Sequence, residues 1–113
     1  MVAGRLEPGY SGRLRKGIAK PGHAEEYIRH LKTETFPQVA GIPGFIRASI
    51  LRRTVEAGTE FQIVTVWTSL EAIKAFAGAN AEVAVVPLLV QQLMASYESS
   101  VVHYEIADNF EPR

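Results

Sequence analysis

The stretch Phe61-Gln62-Ile63-Val64-Thr65-Val66-Trp67-Thr68-Ser69-Leu70-Glu71-Ala72 decides how the rest of the chain is read. Its first part alternates: Phe61, Ile63, Thr65 and Trp67 share one face of a strand, while Gln62, Val64, Val66 and Thr68 share the other. Ser69 has the side chain of a helix N-cap, and Leu70, Ile73, Phe76 and Ala77 then recur at helical spacing before Gly78. Upstream, Phe45 to Thr54 is a second strand-like run, and the link Val55-Glu56-Ala57-Gly58-Thr59 makes the two a β-hairpin.

Working towards the N-terminus, Gly41, Pro43 and Gly44 form a turn cluster. It opens a strand instead of a helix and lacks a Lys-Ser/Thr pair, so it is no phosphate loop. Before it, Ala24, Tyr27, Ile28 and Leu31 trace a helical stripe that Pro37 is expected to stop near Thr35. Gly12 to Ala19 reads as the first strand, with Leu14, Lys16 and Ile18 on one face and Arg13, Arg15 and Gly17 on the other. Towards the C-terminus, a helical piece broken by Pro87 is expected from about Ala81 to Tyr97, followed by a last strand from Val101 to Ala107. The domain then spans 12–107, between a flexible leader at 1–11 and a polar tail at 108–113. The order β-α-β-β-α-β is ferredoxin-like, an α+β fold. Right-handed crossovers put the four strands of its antiparallel sheet in the order 4-1-3-2, with both helices on one face.

Composition narrows the function. The 113 residues include no cysteine, and 12 Lys+Arg balance 12 Asp+Glu. A thiolate metal site, a disulfide framework and a cysteine nucleophile are excluded. Zero net charge argues against nucleic acid as the main partner. The nearly uncharged stretch Ala75 to Tyr97 is long enough to span a bilayer, but Gly78, Asn80, Glu82, Pro87, Gln91 and Gln92 place too many polar or helix-breaking groups in it, so no membrane partner is expected. A cytoplasmic protein is the resulting expectation.

The strand faces carry a further implication. Both faces of the strand that ends at Trp67 hold large apolar groups, and two helices can cover only one side of a sheet. The simplest cover for the other is the same sheet of a second copy across a two-fold axis, so a homodimer is expected. Val83, Val85, Val86, Leu88, Leu89, Val90, Leu93 and Met94, apolar around more than one stripe, point to a helix that is buried on several sides, lines a pocket or joins an interface.

The segment Phe61 to Ala72, followed by Phe76 and closing with His103-Tyr104-Glu105, resembles the antibiotic biosynthesis monooxygenase group of dimeric α+β barrel proteins. The likeness runs over about residues 12 to 107. It implies a homodimer whose two sheets close a barrel, with an apolar pocket between helices and sheet in each subunit. It also implies oxygenation of quinol-like or polyphenolic substrates with no metal or flavin cofactor, or the degradation of haem. Haem-degrading relatives use an Asn on the first strand, then a Trp and a His on the second helical region. Here the first strand has no Asn, and the other two positions fall at about Phe76 and Val86. The resemblance therefore implies no catalytic residue set for this chain.

Cofactor-free oxygenation needs a base, a donor for the developing charge and a dry pocket. By residue type, His103 is the candidate base and Glu105, on the same strand face, its orienting group. A cross-strand pairing with Arg13 and Arg15 is the more natural reading of both. Trp67 offers a stacking wall and an N–H donor, Tyr27 and Tyr97 offer hydroxyls from the helices, and Phe76, Leu89 and Leu93 offer apolar lining for a substrate. Each also suits a core role. His23, Glu26 and His30 share a helix face, but no second ligand cluster accompanies them and no metal site is expected. Two readings follow: a cofactor-independent monooxygenase acting on a small aromatic or quinol-type metabolite, or a non-catalytic small-molecule binding or stress-response module. Polar groups in the pocket distinguish them.

Overall fold

A computed structural model describes residues 9–77 and 87–112. The expectations placed on Gly78 and on residues 81–86, Val83, Val85 and Val86 among them, lie outside the described residues. The chain runs through β1 (Ser11–Ala19), α1 (Ala24–His30), a wide π turn (Leu31–Thr35), α2 (Phe36–Ala40), β2 (Phe45–Val55) and β3 (Gly58–Trp67). It continues through α3 (Leu70–Ala77), α4 (Leu88–Leu93), β4 (Met94–Tyr97) and β5 (Val102–Glu105).

β1 is the hub of the sheet. One edge pairs with β3 over its whole length, from Ser11 opposite Trp67 to Ala19 opposite Thr59, and β3 in turn pairs with β2. The other edge is shared, because β5 pairs with Ser11 to Leu14 and β4 with Gly17 to Ala19, all antiparallel. The expected order is thus present, with the outermost strand delivered in two pieces.

Three expectations are corrected. The helix does not end before Pro37: the Phe36 N–H donates to the Leu31 carbonyl across the widened turn, and Pro37 falls in the first turn of α2. Proline is tolerated in a first turn, where its fixed φ suits the helix. The last helix stops at Leu93, and Met94 turns extended (φ −98°, ψ 135°). The reason is the stretch of β1 that β5 does not reach, whose edge needs backbone partners; β4 supplies them. Gly17 favours this close pairing, because a Cβ there would lie 3.2 Å from both the Ser96 carbonyl oxygen and Tyr97 Cβ. The last strand is shorter than expected, ending at Glu105.

Alternation on β3 determines what lies under the helices. Phe61 and Ile63 join Ala19, Tyr27, Leu31, Val90, Leu93 and Met94 in one buried cluster. Trp67 joins Val39 and Ile73 in a second, flanked by Ile42, Phe45 and Ala72. Thr65 falls between the two. The opposite sheet face carries Leu14, Ile18 and Val64 and leaves Leu51, Val102 and Tyr104 exposed.

The β2–β3 hairpin is tighter than the expected link, with Val55 opposite Gly58. Gly58 sits at φ +146°, and a Cβ there would overlap the Ala19 carbonyl oxygen at the end of β1. Gly58→Ala is therefore expected to lower stability by about 2 to 3 kcal/mol. Thermal unfolding checks this, with an expected drop in Tm of roughly 10 °C; an unchanged Tm would contradict the tight approach of β3 to Ala19.

Candidate functional site

Thr65 is where the site begins. It is the only small residue among Phe61, Ile63, Thr65 and Trp67 on the inward face of β3, and its neighbours in register are Ala48 on β2 and Arg13 on β1. A small side chain beside another small one leaves the sheet face indented, and helix packing cannot fill the indentation from above without a large residue aimed into it. The π turn and α2 instead place Thr35, Phe36, Gln38 and Val39 over it. The result is a cavity of about 160 Å³, lined also by Arg13, Arg15, Ile63, Thr65, Trp67, Phe76 and Pro87. Its size is close to that of an apolar cavity of about 150 Å³ that admits benzene.

One wall is aromatic. Trp67, 0% exposed, stacks on Phe76 with centroids 5.6 Å apart and meets Phe45 edge-on at 5.4 Å. Its Nε1–H donates to Thr65 Oγ1 at 2.9 Å, which satisfies the buried indole and holds the ring upright beside the hollow. Cationic groups adjoin that wall. Arg13, only 7% exposed, lies with its Cζ 5.9 Å from the Phe76 ring centroid. Burial, and after it the like charge of Arg15, push the Arg13 guanidinium below the ordinary arginine range. Arg15 donates over a long 3.5 Å to the Tyr27 hydroxyl.

His103 lies opposite Arg13 in the β1–β5 register, and Arg13 Nη1 stands 3.2 Å from its Nε2. A guanidinium can only donate, so in this hydrogen bond Nε2 accepts and the ring proton resides on Nδ1. Glu105 lies opposite Ser11 on the same face, not opposite Arg15. His103 and Glu105 border a shallow neighbouring cleft with Ser11, Ser69 and Glu71, and His103 meets Arg13, which also lines the aromatic cavity.

Of the residues proposed from sequence, Trp67 and Phe76 line the cavity together. Tyr27 is buried in the adjoining core, edge-on to Phe61 at 4.9 Å, with its hydroxyl against Arg15. Leu93 is in that same core, and Leu89 is exposed. Tyr97 comes from β4 and not from a helix, and lines another surface depression with Lys16 and Glu98. The polar lining residues Arg13, Arg15, Thr35, Gln38 and Thr65 were missed as pocket groups. The available signal was the pair Arg13 and Arg15 on one face of the strand next to Trp67. His23 and Glu26 make an exposed contact at 3.3 Å, and among the described residues no group of acids and histidines is placed to hold a metal ion.

A ferredoxin-like α+β domain with a ring-sized pocket between helices and sheet is the class that these features define. The family model for antibiotic biosynthesis monooxygenases matches residues 17–85, and the chain belongs to that family. No curated protein sequence matches it significantly. Among solved structures, a Bacillus cereus protein assigned to the same monooxygenases superposes with a TM-score of 0.66 at 16% identity, covering 92% of this chain and 97% of that one. A haem-degrading protein from Mycobacterium tuberculosis gives 0.59 at 20% identity, over 92% and 99% of the two chains. A Streptomyces coelicolor monooxygenase in complex with nanaomycin D gives 0.60 at 16% identity, over 94% of each. At such identities the likeness is one of fold. Among the described residues, no helix is long and apolar enough to cross a membrane.

The aromatic wall is open to a direct check, since Trp67 is the only tryptophan in the chain. Its emission is expected to be blue-shifted and poorly quenched by acrylamide. Phe76→Ala is expected to red-shift it, raise quenching several-fold and cost about 1 to 3 kcal/mol, less than a full core truncation because Phe76 is 37% exposed. Unchanged quenching would contradict the stacked arrangement.

Proposed function

We propose that the protein is a cofactor-independent monooxygenase acting on a small aromatic or quinol-type metabolite. The observation that carries this reading is the composition of the cavity: Arg13, Arg15, Thr35, Gln38 and Thr65 share it with Trp67 and Phe76. A module that only sequesters apolar molecules needs the second set and not the first. In the reaction, a phenol C–H becomes a C=O. One oxygen atom of O₂ is inserted, the other leaves as water, and all four electrons come from the substrate. The substrate must first become an electron-rich anion, and a buried guanidinium beside the ring stabilises that anion. Arg13 has this role in the proposal. His103 holds the guanidinium in place through its neutral Nε2, so the residue favoured from sequence as a base acts on the pocket by way of Arg13, with Glu105 next on the same face.

The same proposal has the chain working as a homodimer. Leu51, Val102 and Tyr104 are 51%, 48% and 58% exposed on the sheet face away from the helices, where Leu14, Ile18 and Val64 extend the apolar surface. Burying that surface against a second copy removes it from water.

Oxygen uptake with a panel of monocyclic phenols and hydroquinones, and incorporation of labelled O₂ into the product, test the reaction. Uptake above the buffer rate with one labelled atom per product is expected, and Arg13→Gln is expected to lower it at least tenfold while the protein stays folded. Saturable binding of the panel without enzyme-dependent uptake would replace the monooxygenase reading by a binding module. For the dimer, light scattering is expected to give twice the chain mass of 12.4 kDa, and Tyr104→Asp to shift the protein to monomer without loss of helix and strand signal. A monomeric parent protein would overturn that part.

A further inference from the structure

The indole of Trp67 does not itself offer a donor to the cavity, and on the pocket reading just given this decides which group meets a ligand's oxygen. Its Nε1–H is spent on Thr65 Oγ1 at 2.9 Å, and the buried ring is held in that orientation by Phe76 stacked on it and Phe45 edge-on. Thr65 lines the same cavity, between Ile63 and Trp67 on the inward face of β3. A hydroxyl both accepts and donates, so while Oγ1 accepts from the indole its own proton is left to donate. Among the described residues, the bond from the indole is the one hydrogen bond that the Thr65 side chain makes. The other polar lining groups are placed differently. Arg13 and Arg15 have partners of their own, and Thr35 and Gln38 belong to the helix layer, where Gln38 is exposed.

We propose that Thr65 is the residue that selects an oxygen-bearing ring: its hydroxyl donates to a hydroxyl or carbonyl oxygen of an aromatic ligand lying against Trp67 and Phe76, and Trp67 is a positioning residue that acts on that oxygen through Thr65. Two constraints set the donor in advance. The branched side chain restricts χ1, and the bond from the indole fixes Oγ1, so the hydroxyl proton must turn away from the indole in a residue that borders the cavity. The indole N–H also polarises the hydroxyl, because successive hydrogen bonds in a site of low dielectric strengthen one another. A hydrocarbon ring filling the cavity would leave the proton without an acceptor, and an unpaired donor shut away from water is costly. The selection is for an acceptor oxygen. It covers a phenol, which accepts and donates, and a conjugated carbonyl, which only accepts, so the substrate and the product of the proposed oxygenation both satisfy it.

Two pairs of near-isosteric ligands, phenol with toluene and benzaldehyde with styrene, test the proposal when titrated calorimetrically into the full chain in sealed cells without O₂. Each pair is read as the ratio of the two affinities. Thr65→Val, which keeps the shape and removes the hydroxyl, is expected to lower both ratios at least threefold. Thr65→Ser, which returns the hydroxyl, is expected to hold both within twofold of the parent protein. Circular dichroism establishes that the variants fold. A second measurement needs no variant: the proton resonance of the Trp67 indole N–H is expected to lie further downfield with phenol bound than with toluene bound, since the two rings match and phenol alone draws on the relay. Ratios that Thr65→Val lowers less than threefold, a fall confined to the phenol pair, an equal fall in Thr65→Ser, or an indole resonance indifferent to the oxygen would each overturn the proposal. Binding of none of the four would overturn it together with the pocket reading. Oxygen uptake with phenols whose affinity ratio ignores Thr65 leaves the monooxygenase reading standing and removes this one. Ratios that follow Thr65 with no oxygen uptake do the reverse.

Discussion

A single small side chain on the inward face of β3 governs the interior of this domain. Phe61, Ile63 and Trp67 anchor their surroundings by burial, but Thr65 between them cannot bridge Ile63 to Trp67, and Ala48 beside it cannot either. The core therefore forms as two clusters instead of one. The gap is not empty of polarity: Thr65 accepts from the Trp67 indole, and Arg13 arrives opposite it from the central strand. A large apolar residue in place of Thr65 would merge the clusters, strand the indole N–H and leave Arg13 buried against hydrocarbon, which is costly for a charge. Pocket, aromatic wall and buried arginine are consequences of one gap in the apolar pattern.

The elements around the gap bend to fit it. The π turn at Leu31–Thr35 lets the first helix pass from the larger cluster, where Leu31 is buried, to the smaller one, where Val39 is buried. It thereby carries Thr35 and Gln38 over the cavity. π turns inside helices commonly mark functional positions for this reason, since the extra residue re-aims side chains without ending the helix. On the other edge of the sheet, β5 brings His103 to Arg13 while β4 occupies the remaining length of β1.

The strands were legible because alternation is a local signal, and the hairpin and its following helix were legible because Gly58 and Ser69 punctuate them. The helix limits were less so. Pro37 ordinarily marks an end, and only the wider turn before it makes it an N-terminal residue. Met94 continues the apolar stripe of α4, so nothing local distinguishes Met94 to Tyr97 from one more helical turn; the edge of β1 that recruits them is distant in sequence. The site was half legible. Trp67 and Phe76 flank the strand-to-helix turn, and their proximity follows from it. Arg13 and Arg15 look like a solvent-facing set on any isolated strand, and only the register with Thr65 and Ile63 turns them inward. Tyr27 and Leu93 were correctly apolar, but periodicity cannot say which wall of a core faces a cavity.

The proposed function requires that ligand be recognised between helices and sheet, around Arg13, Thr65 and Trp67, and not on the opposite apolar sheet face. A titration followed by ¹H–¹⁵N correlation spectroscopy tests it most directly, because the lone tryptophan contributes a single indole N–H signal within the site. With a monocyclic hydroquinone as probe, that indole signal is expected to shift together with the amides of Arg13, Arg15, Thr35 and Gln38, while those of Leu51, Val102 and Tyr104 stay in place. Shifts confined to Leu51, Val102 and Tyr104, with the indole unmoved, would contradict it.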